Sequence, residues 1–437
     1  MKRLIRQTVF LSASHFAVRT IGLILRIWLS RELGAQAMGL VELAQSAQML
    51  LITPVVSGLP ASVSRMCAKA DPGHQQRIAR CGMLLSLIVS LPVCVLGYAL
   101  REPLAFWLGD IRTLPSILVY LPCIPILGVS CALNGYYYGT DRPVPPALSE
   151  LLEQIIRFLL CMRLCAAMRT WPVMLRAAAP ALAALIGETA GLLLMLLCAA
   201  QWILGKKAGS AIPHMSVMRE MLSLAVPLTG MKLVSSLMRT VNSALTPARL
   251  QLAGLSAQEA LSRFGMMQGM MMPILMIPSF ITCSLSMVSA PEVTRRQASG
   301  KPMRHLILRV LSLTLAIGLA FMLVVFLAAP LAASRLYRQA ELLPLLRRSC
   351  LLVPVFSLNH VLGGLANGLG LQRYSLRISL YCGLLSVLTT YFLCANPAFG
   401  LWGAVIALAA GQVLSLVLNL FVVCRAAAEV TPPEYTA

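Results

Sequence analysis

Apolar runs of about 20 residues recur along the whole chain, and a run of this length crosses a bilayer as a helix. Because the hydrocarbon interior offers no water to the backbone, such segments must bond their amides internally, as helices do. The sequence therefore predicts an all-α integral membrane protein with about 12 transmembrane helices. The predicted spans are roughly 9–30, 37–58, 81–100, 114–138, 148–168, 177–203, 220–244, 264–289, 306–330, 345–369, 376–394 and 399–424.

The amino-acid composition supports an integral membrane protein and limits the classes of partner that the protein could bind. Of the 437 residues, 58% are hydrophobic and 12% are charged, whereas a soluble domain carries about twice that charged fraction. The net charge of +21 comes from basic residues scattered in short loops between apolar runs. This distribution is typical of topology signals and contact with anionic membrane lipids, and nucleic acid is not an expected partner. The cysteines lie mostly inside apolar runs, so we expect neither a metal site nor disulfides.

Lysine and arginine also predict the orientation of the chain. They are more frequent in the segments that share a side with the N-terminus, such as the basic group Arg65, Lys69, Arg77 and Arg80. Cytoplasmic loops carry this excess of positive charge. We therefore expect a multi-pass protein of the cytoplasmic membrane with both termini in the cytoplasm.

The first span carries cations at membrane depth. Arg19 and Arg26 are seven residues apart, so they lie about 20° from each other around a helix, and His15 lies within about 40° of both. Arg19 is about 15 Å from the start of the span, which makes snorkelling to either interface difficult. A buried charge is costly unless it faces a cavity or a partner. This cationic stripe therefore predicts an anionic ligand inside the membrane.

The two halves of the chain contain similar motifs at a constant offset. Pro60 and Pro291 lie in related sequences 231 positions apart, and Asn134-Gly and Asn367-Gly lie 233 positions apart. The offset predicts two six-helix lobes arranged as parallel repeats, with a substrate site near the midplane. We expect an N-terminal lobe at 1–205, a cytoplasmic linker at 206–219, a C-terminal lobe at 220–425 and a cytoplasmic tail at 426–437.

The seventh span, which opens the second half, repeats the cationic pattern of the first. Lys232 and Arg239 are again seven residues apart, and Lys232 is about 18 Å from the start of its span. Together with Arg65 near the inner mouth, these residues would bring several cations into one cleft. Such a cluster needs counter-charges or an anionic ligand, and arginine forks match the oxygens of a diphosphate.

Buried acids are the candidate counter-charges. Glu188 lies within an apolar span with no basic residue within four positions. It either couples transport to protons or cations, or it neutralises a cation of the protein. His15 is either a hydrogen-bonded helix residue or a proton carrier. Glu153 and Arg157 are four residues apart and should form a structural ion pair, whereas Glu42 is expected to face water or to pair locally.

Several motifs resemble the stage V sporulation protein B branch of oligosaccharide flippases. They are RELGAQAMGL from Arg31, GLPASVSR from Gly58, PALSELLEQIIR from Pro146, RLQLAGLSAQEA from Arg249 and GLWGAVIA from Gly400. The resemblance implies the multidrug/oligosaccharidyl-lipid/polysaccharide exporter superfamily, in which two six-helix lobes form a V-shaped cavity with alternating access.

The resemblance also implies roles for the cations. Related lipid II flippases hold the diphosphate of an undecaprenyl-linked precursor with cavity arginines. This role carries over to Arg19 and Arg26, and further to Arg65, Lys232 and Arg239.

The resulting hypothesis is a flippase rather than an enzyme. It would translocate an undecaprenyl-diphosphate-linked oligosaccharide or peptidoglycan-type precursor across the cytoplasmic membrane, for spore cortex or surface polysaccharide. We expect no cofactor; Na⁺, H⁺ or the membrane potential are candidate energy sources, and cell-wall or polysaccharide synthesis enzymes are candidate partners.

Two other classes are weighed against this hypothesis. The first is a multidrug or organic-cation antiporter of the same architecture, which would need an acidic, aromatic pocket for its cations. The second is an integral-membrane glycosyl- or phosphotransferase, which would need paired carboxylates or histidines and a metal site. Asp71, Asp110 and Asp141 lie in separate loops and do not form such a pair.

Overall fold

The computed structural model describes residues 2–203 and 214–428, and within these ranges the chain is helical without a β-strand. This confirms the predicted all-α class. The first nine α-helices are α1 (Lys2–Val56), α2 (Leu59–Cys67), α3 (Pro72–Ala99), α4 (Arg101–Trp107), α5 (Leu114–Tyr120), α6 (Cys123–Gly139), α7 (Val144–Ala167), α8 (Val173–Arg176) and α9 (Ala179–Ile203).

The second nine follow the residues that the structure leaves undescribed. They are α10 (His214–Leu252), α11 (Ala257–Gly265), α12 (Met272–Leu275), α13 (Ser279–Ala298), α14 (Arg304–Leu331), α15 (Leu342–Ser349), α16 (Val353–Gly368), α17 (Gln372–Leu393) and α18 (Leu401–Ala428). One π-helical turn, Met266–Met271, joins α11 to α12, and another, Ala332–Leu336, follows α14.

Each of the twelve predicted spans overlaps a described helix. Among the residues described, eight helices are long and apolar enough to cross a membrane, or up to ten if each of two bent pairs forms one span. α1 overlaps two predicted spans, and a bend at Gly34 lies between them. The φ of Gly34 is +80°, a value that is favourable only for glycine. α7 overlaps another predicted span but carries four charged residues. The multi-pass character is confirmed, and the count of twelve stays a prediction.

Contacts group the chain into two units, Met1–Ala244 and Leu245–Ala437. The predicted lobes were divided instead by the internal repeat, so their boundaries stay predictions. Residues 206–213 of the predicted linker and 429–437 of the predicted tail lie outside the described ranges.

Several apolar clusters lie within the first unit, and two of them show how its helices pack. In one, Val63 of α2 and Leu133 of α6 are fully buried with Met221 of α10. In the other, Leu25 and Leu29 of α1 pack with side chains of α7 and α9. Burial of apolar side chains in this way stabilises each helix pair within the unit.

The second unit repeats the helix pairing of the first. In the first unit α6 packs against α2 and α3, and α7 packs against α9; in the second, α16 packs against α13 and α14, and α17 packs against α18. The repeated motifs lie at these contacts. A methyl group on Gly135 of α6 would come within 2.6 Å of the Pro60 carbonyl oxygen, and one on Gly368 of α16 within 2.6 Å of the Ala290 carbonyl oxygen. The sequence repeat therefore reflects a repeated backbone contact.

This contact predicts a position-specific effect of alanine. Gly135→Ala and Gly368→Ala place a methyl group against backbone, so each should destabilise the protein by about 1–3 kcal/mol, the usual cost of overpacking. Gly363→Ala in α16 is the matched control, because a methyl group there meets no atom within 4 Å. Thermal unfolding of the purified protein in detergent measures the difference. Equal melting temperatures for Gly368→Ala and Gly363→Ala would show that the close contact does not exist.

Candidate functional site

The first segment of α1, residues 2–33, positions the predicted cationic stripe. Leu25 and Leu29 are buried against α7 and α9, and Gly22 lies beside the Gln154 side chain of α7. His15, Arg19 and Arg26 are only partly buried. The segment therefore presents its apolar side to the core and keeps its charged side accessible.

Arg26 already has a partner within the protein. Its guanidinium donates a hydrogen bond to the carboxylate of Glu42, which lies in the second segment of α1 beyond the bend at Gly34. The Glu42 side chain is only 12% exposed, so it does not face water, and its partner lies 16 residues away along the chain rather than locally as expected. The bend folds α1 back on itself and brings the two charges together.

His15 lies near a carboxylate of α7. Its Nε2 atom is 3.6 Å from Oε2 of Glu150. This contact is compatible with either role predicted for His15. It also places the start of the cationic stripe next to the acidic face of α7.

Glu188 takes part in a buried charge network between α7 and α9. Arg157 donates to Glu153 at 2.6 Å, which confirms the predicted i,i+4 pair, and its other contact is Glu188 at 3.5 Å. α7 and α9 lie close together at Gly187. A methyl group on this residue would be only 2.9 Å from the Glu153 carbonyl oxygen. Glu188 therefore contacts Arg157, which is not among the five predicted ligand-binding cations, and its role as a coupling residue or a counter-charge stays a prediction.

Four of those five cations have no carboxylate within ion-pair distance in the described part of the chain. They are Arg19 on α1, Arg65 near the end of α2, and Lys232 and Arg239 on α10. Arg65, Lys232 and Arg239 are also exposed on the protein surface. Their charges are thus available to an external anion.

α10 packs against the second segment of α1. Thr240 donates to the Ser46 carbonyl oxygen at 2.9 Å, and Ala244 is buried with Ala44 and Ala47. α10 is helical throughout, so Lys232 and Arg239 share one side of it, as predicted. That these two residues converge with Arg19 and Arg26 stays a prediction.

The structure adds a group of basic residues that the sequence analysis missed. Arg65 lines a cavity of about 440 Å³ together with Lys69, His74 and Arg77. Lys69 and Arg77 were predicted only to orient the chain, and His74 had no predicted role. The available signal was the density of basic residues around the break between α2 and α3.

Metal chemistry has no evident site in these units. Within residues 2–203 and 214–428, no group of three His, Cys, Asp or Glu side chains could hold a metal ion.

Comparison with known proteins agrees with this architecture. Stage V sporulation protein B of Bacillus subtilis (strain 168) is 25% identical, in an alignment that covers 96% of this chain and 83% of that protein. An inward-facing transporter of the multidrug resistance MATE family has the same fold, with a TM-score of 0.74, 16% identity and coverage of 96% of both chains. The lipid II flippase MurJ in an inward closed conformation gives a TM-score of 0.73 at 13% identity, covering 97% of this chain and 90% of that one.

A family model identifies the chain more directly than these likenesses do. The model described as "Polysaccharide biosynthesis protein" matches residues 4–297, which is more than half of the chain. The match begins at the helix with the cationic stripe and extends into α13. The chain therefore belongs to the polysaccharide biosynthesis protein family.

Proposed function

We propose that the protein is a flippase that moves an undecaprenyl-diphosphate-linked oligosaccharide or a peptidoglycan-type precursor from the inner to the outer leaflet of the cytoplasmic membrane. The family match, the sporulation relative and the fold shared with a lipid II flippase support a flippase-type transporter of the multidrug/oligosaccharidyl-lipid/polysaccharide exporter superfamily. The reaction is transport by alternating access, and no covalent bond is made or broken. Spore cortex or surface polysaccharide is the proposed destination of the glycan.

The observation that carries this proposal is the set of cations without a carboxylate partner. Arg26 and Arg157 each contact a glutamate, whereas Arg19, Lys232 and Arg239 have none in the described ranges. An unneutralised charge at membrane depth is costly, so an anionic ligand would stabilise these positions. A diphosphate offers several oxygens to guanidinium forks at once.

The proposal also covers the lipid part of the substrate and the orientation of the protein in the membrane. The carrier chain stays in contact with membrane lipids while the cations hold the headgroup. Both termini are placed in the cytoplasm because Lys and Arg are more frequent in the segments on that side. The headgroup then enters from the leaflet in which cytoplasmic enzymes assemble it, and enzymes of wall or polysaccharide synthesis are the proposed partners.

The MATE-type structure favours a second candidate, a multidrug or organic-cation antiporter. Charge argues against it in this chain. A cationic drug needs acidic groups that are free to bind it, but Glu188 and Glu153 both contact Arg157. The side chains of α1 and α10 that are predicted to bind the ligand are cations, and these would repel such a drug.

Substitution of Arg19 tests the proposed headgroup contact. Loss of one charge-assisted hydrogen bond costs about 1.5–3 kcal/mol, so Arg19→Ala should slow flipping by about ten- to a hundredfold. Arg19→Lys, which keeps the charge but loses the fork, should give an intermediate rate. The assay uses proteoliposomes with a labelled undecaprenyl-diphosphate sugar and a membrane-impermeant reagent that reacts only with outward-facing label.

Arg169→Ala is the matched control for this experiment. Arg169 pairs with Glu32 but is 67% exposed, so its removal should change stability by less than about 1 kcal/mol and leave flipping unchanged. Flipping by Arg19→Ala at the wild-type rate would refute the assignment of the headgroup to this helix.

The network around Arg157 yields a second prediction. We propose that Glu188 is a counter-charge and that Na⁺, H⁺ or the membrane potential drives the cycle through other groups. Glu188→Gln leaves the Glu153–Arg157 pair intact, so the variant should fold and transport. Arg157→Gln leaves buried carboxylates uncompensated and should cost about 3–5 kcal/mol in thermal unfolding measurements. Normal folding of Glu188→Gln with loss of gradient-driven flipping would instead make Glu188 the coupling residue.

A further inference from the structure

A cavity of about 440 Å³ lies where α2 ends and where α3 and α10 begin. It belongs entirely to the first unit. Its wall combines Arg65 and Lys69 from the end of α2, His74 and Arg77 from the first turns of α3, and Glu220 from α10. Its volume is in the range of sites that hold small molecules, which is about 300–1,000 Å³.

The wall is rich in cations, and two of them, Arg65 and Lys69, have no carboxylate partner among the described residues. Arg65 lies in the last turn of α2 and Lys69 lies two residues beyond its end, so two like charges that repel each other line the same wall. Neither has a carboxylate within ion-pair distance among the described residues, although Asp71 and Glu220 line the same cavity. Arg77 is 92% buried and adds a third positive charge. An anion that binds here would relieve the repulsion.

The start of α3 adds to the positive potential. Asp71 occupies the position before this 28-residue helix, but its side chain makes no capping hydrogen bond. The positive end of the helix dipole therefore lies at the cavity without a capping hydrogen bond to the Asp71 carboxylate. A phosphate group is the kind of anion that such a position stabilises.

The second unit shows how the chain neutralises the equivalent cations. The residue after the repeated proline is Glu292 in the second half and Ala61 in the first. Glu292 pairs with Arg295 at 3.3 Å and with Arg296 at 2.9 Å. Arg65 has the same i,i+4 relation to Ala61 that Arg296 has to Glu292. The first half therefore has one of the two cations of this motif, Arg65, without the carboxylate that neutralises them in the second.

We infer that this cavity binds the glycosyl diphosphate headgroup of the substrate at the membrane–water boundary, as a loading position before the headgroup reaches Arg19. The inference rests on the proposed function. Arg65, Lys69 and Arg77 bind the diphosphate, since cations of this kind match its oxygens. Asp71 and Glu220 accept hydrogen bonds from the hydroxyls of the first sugar, because carboxylates are acceptors only.

The first variant adds the missing carboxylate and removes no cation. In Ala61→Glu the new side chain should pair with Arg65 as Glu292 pairs with Arg296, and Ala61 is exposed, so the variant should fold. Purified full-length protein in phosphatidylcholine nanodiscs is titrated with inorganic pyrophosphate by calorimetry. We expect Ala61→Glu and the double variant Arg65→Gln/Lys69→Gln to weaken binding by about tenfold or more, the effect of one lost charge-assisted contact. The matched control, Arg295→Gln/Arg296→Gln, should bind as the wild type does.

Two further arms identify the source of the phosphate. Undecaprenyl diphosphate in the nanodiscs should displace pyrophosphate, whereas phosphatidylglycerol should not. Displacement by phosphatidylglycerol alone would overturn the loading site in favour of an ordinary lipid headgroup. Equal pyrophosphate affinity of the wild type and Ala61→Glu, or no binding by the wild type, would also overturn it. These outcomes leave the flipping defect of Arg19→Ala untouched, so this inference and the proposed function fail separately.

Discussion

A charge inside a membrane protein must be neutralised, and the arrangement of charges in this chain follows from that requirement. Taking an ion out of water costs several kcal/mol unless a partner compensates it. The bend at Gly34 brings Glu42 to Arg26, and the close approach of α7 and α9 brings Glu188 to Arg157. The protein thus compensates some of its cations internally. The cations that have no carboxylate partner in the described chain are the ones whose charge the proposed ligand would neutralise.

The two halves of the chain share their helix packing but differ in the charges that lie on it. Both halves use a glycine of one helix against the backbone of a proline-containing helix, as Gly135 and Gly368 show. The charges on this common frame differ. Glu292 neutralises its neighbours in the second half, whereas Ala61 leaves Arg65 without an equivalent partner in the first. The packing is therefore shared by the two halves, and the charges on it differ.

Features that depend on local spacing could be predicted from the sequence. The spans follow from apolar length, the Glu153–Arg157 pair from its i,i+4 spacing, and the shared side of Lys232 and Arg239 from the helical repeat. The close helix contacts at the repeated glycines follow from the absence of a side chain.

Features that depend on which helices become neighbours could not be predicted in this way. The Arg26–Glu42 pair requires the direction of the bend at Gly34, and the Arg157–Glu188 pair requires that α7 and α9 lie side by side. The cavity at Lys69 combines residues of three helices, and one of these is more than 130 residues away along the chain. Such contacts are set by tertiary packing rather than by sequence periodicity.

The central claim is that cations of α1 and α10 hold one diphosphate together, and a double-mutant cycle on binding tests it most directly. Native mass spectrometry would give the affinities of wild type, Arg19→Ala, Lys232→Ala and the double variant for undecaprenyl diphosphate and for undecaprenyl monophosphate. If both side chains contact the same headgroup, their effects should be non-additive by about 0.5 kcal/mol or more, with the wild type preferring the diphosphate. Additive effects, or equal affinity for the two carriers in every variant, would contradict a shared diphosphate site.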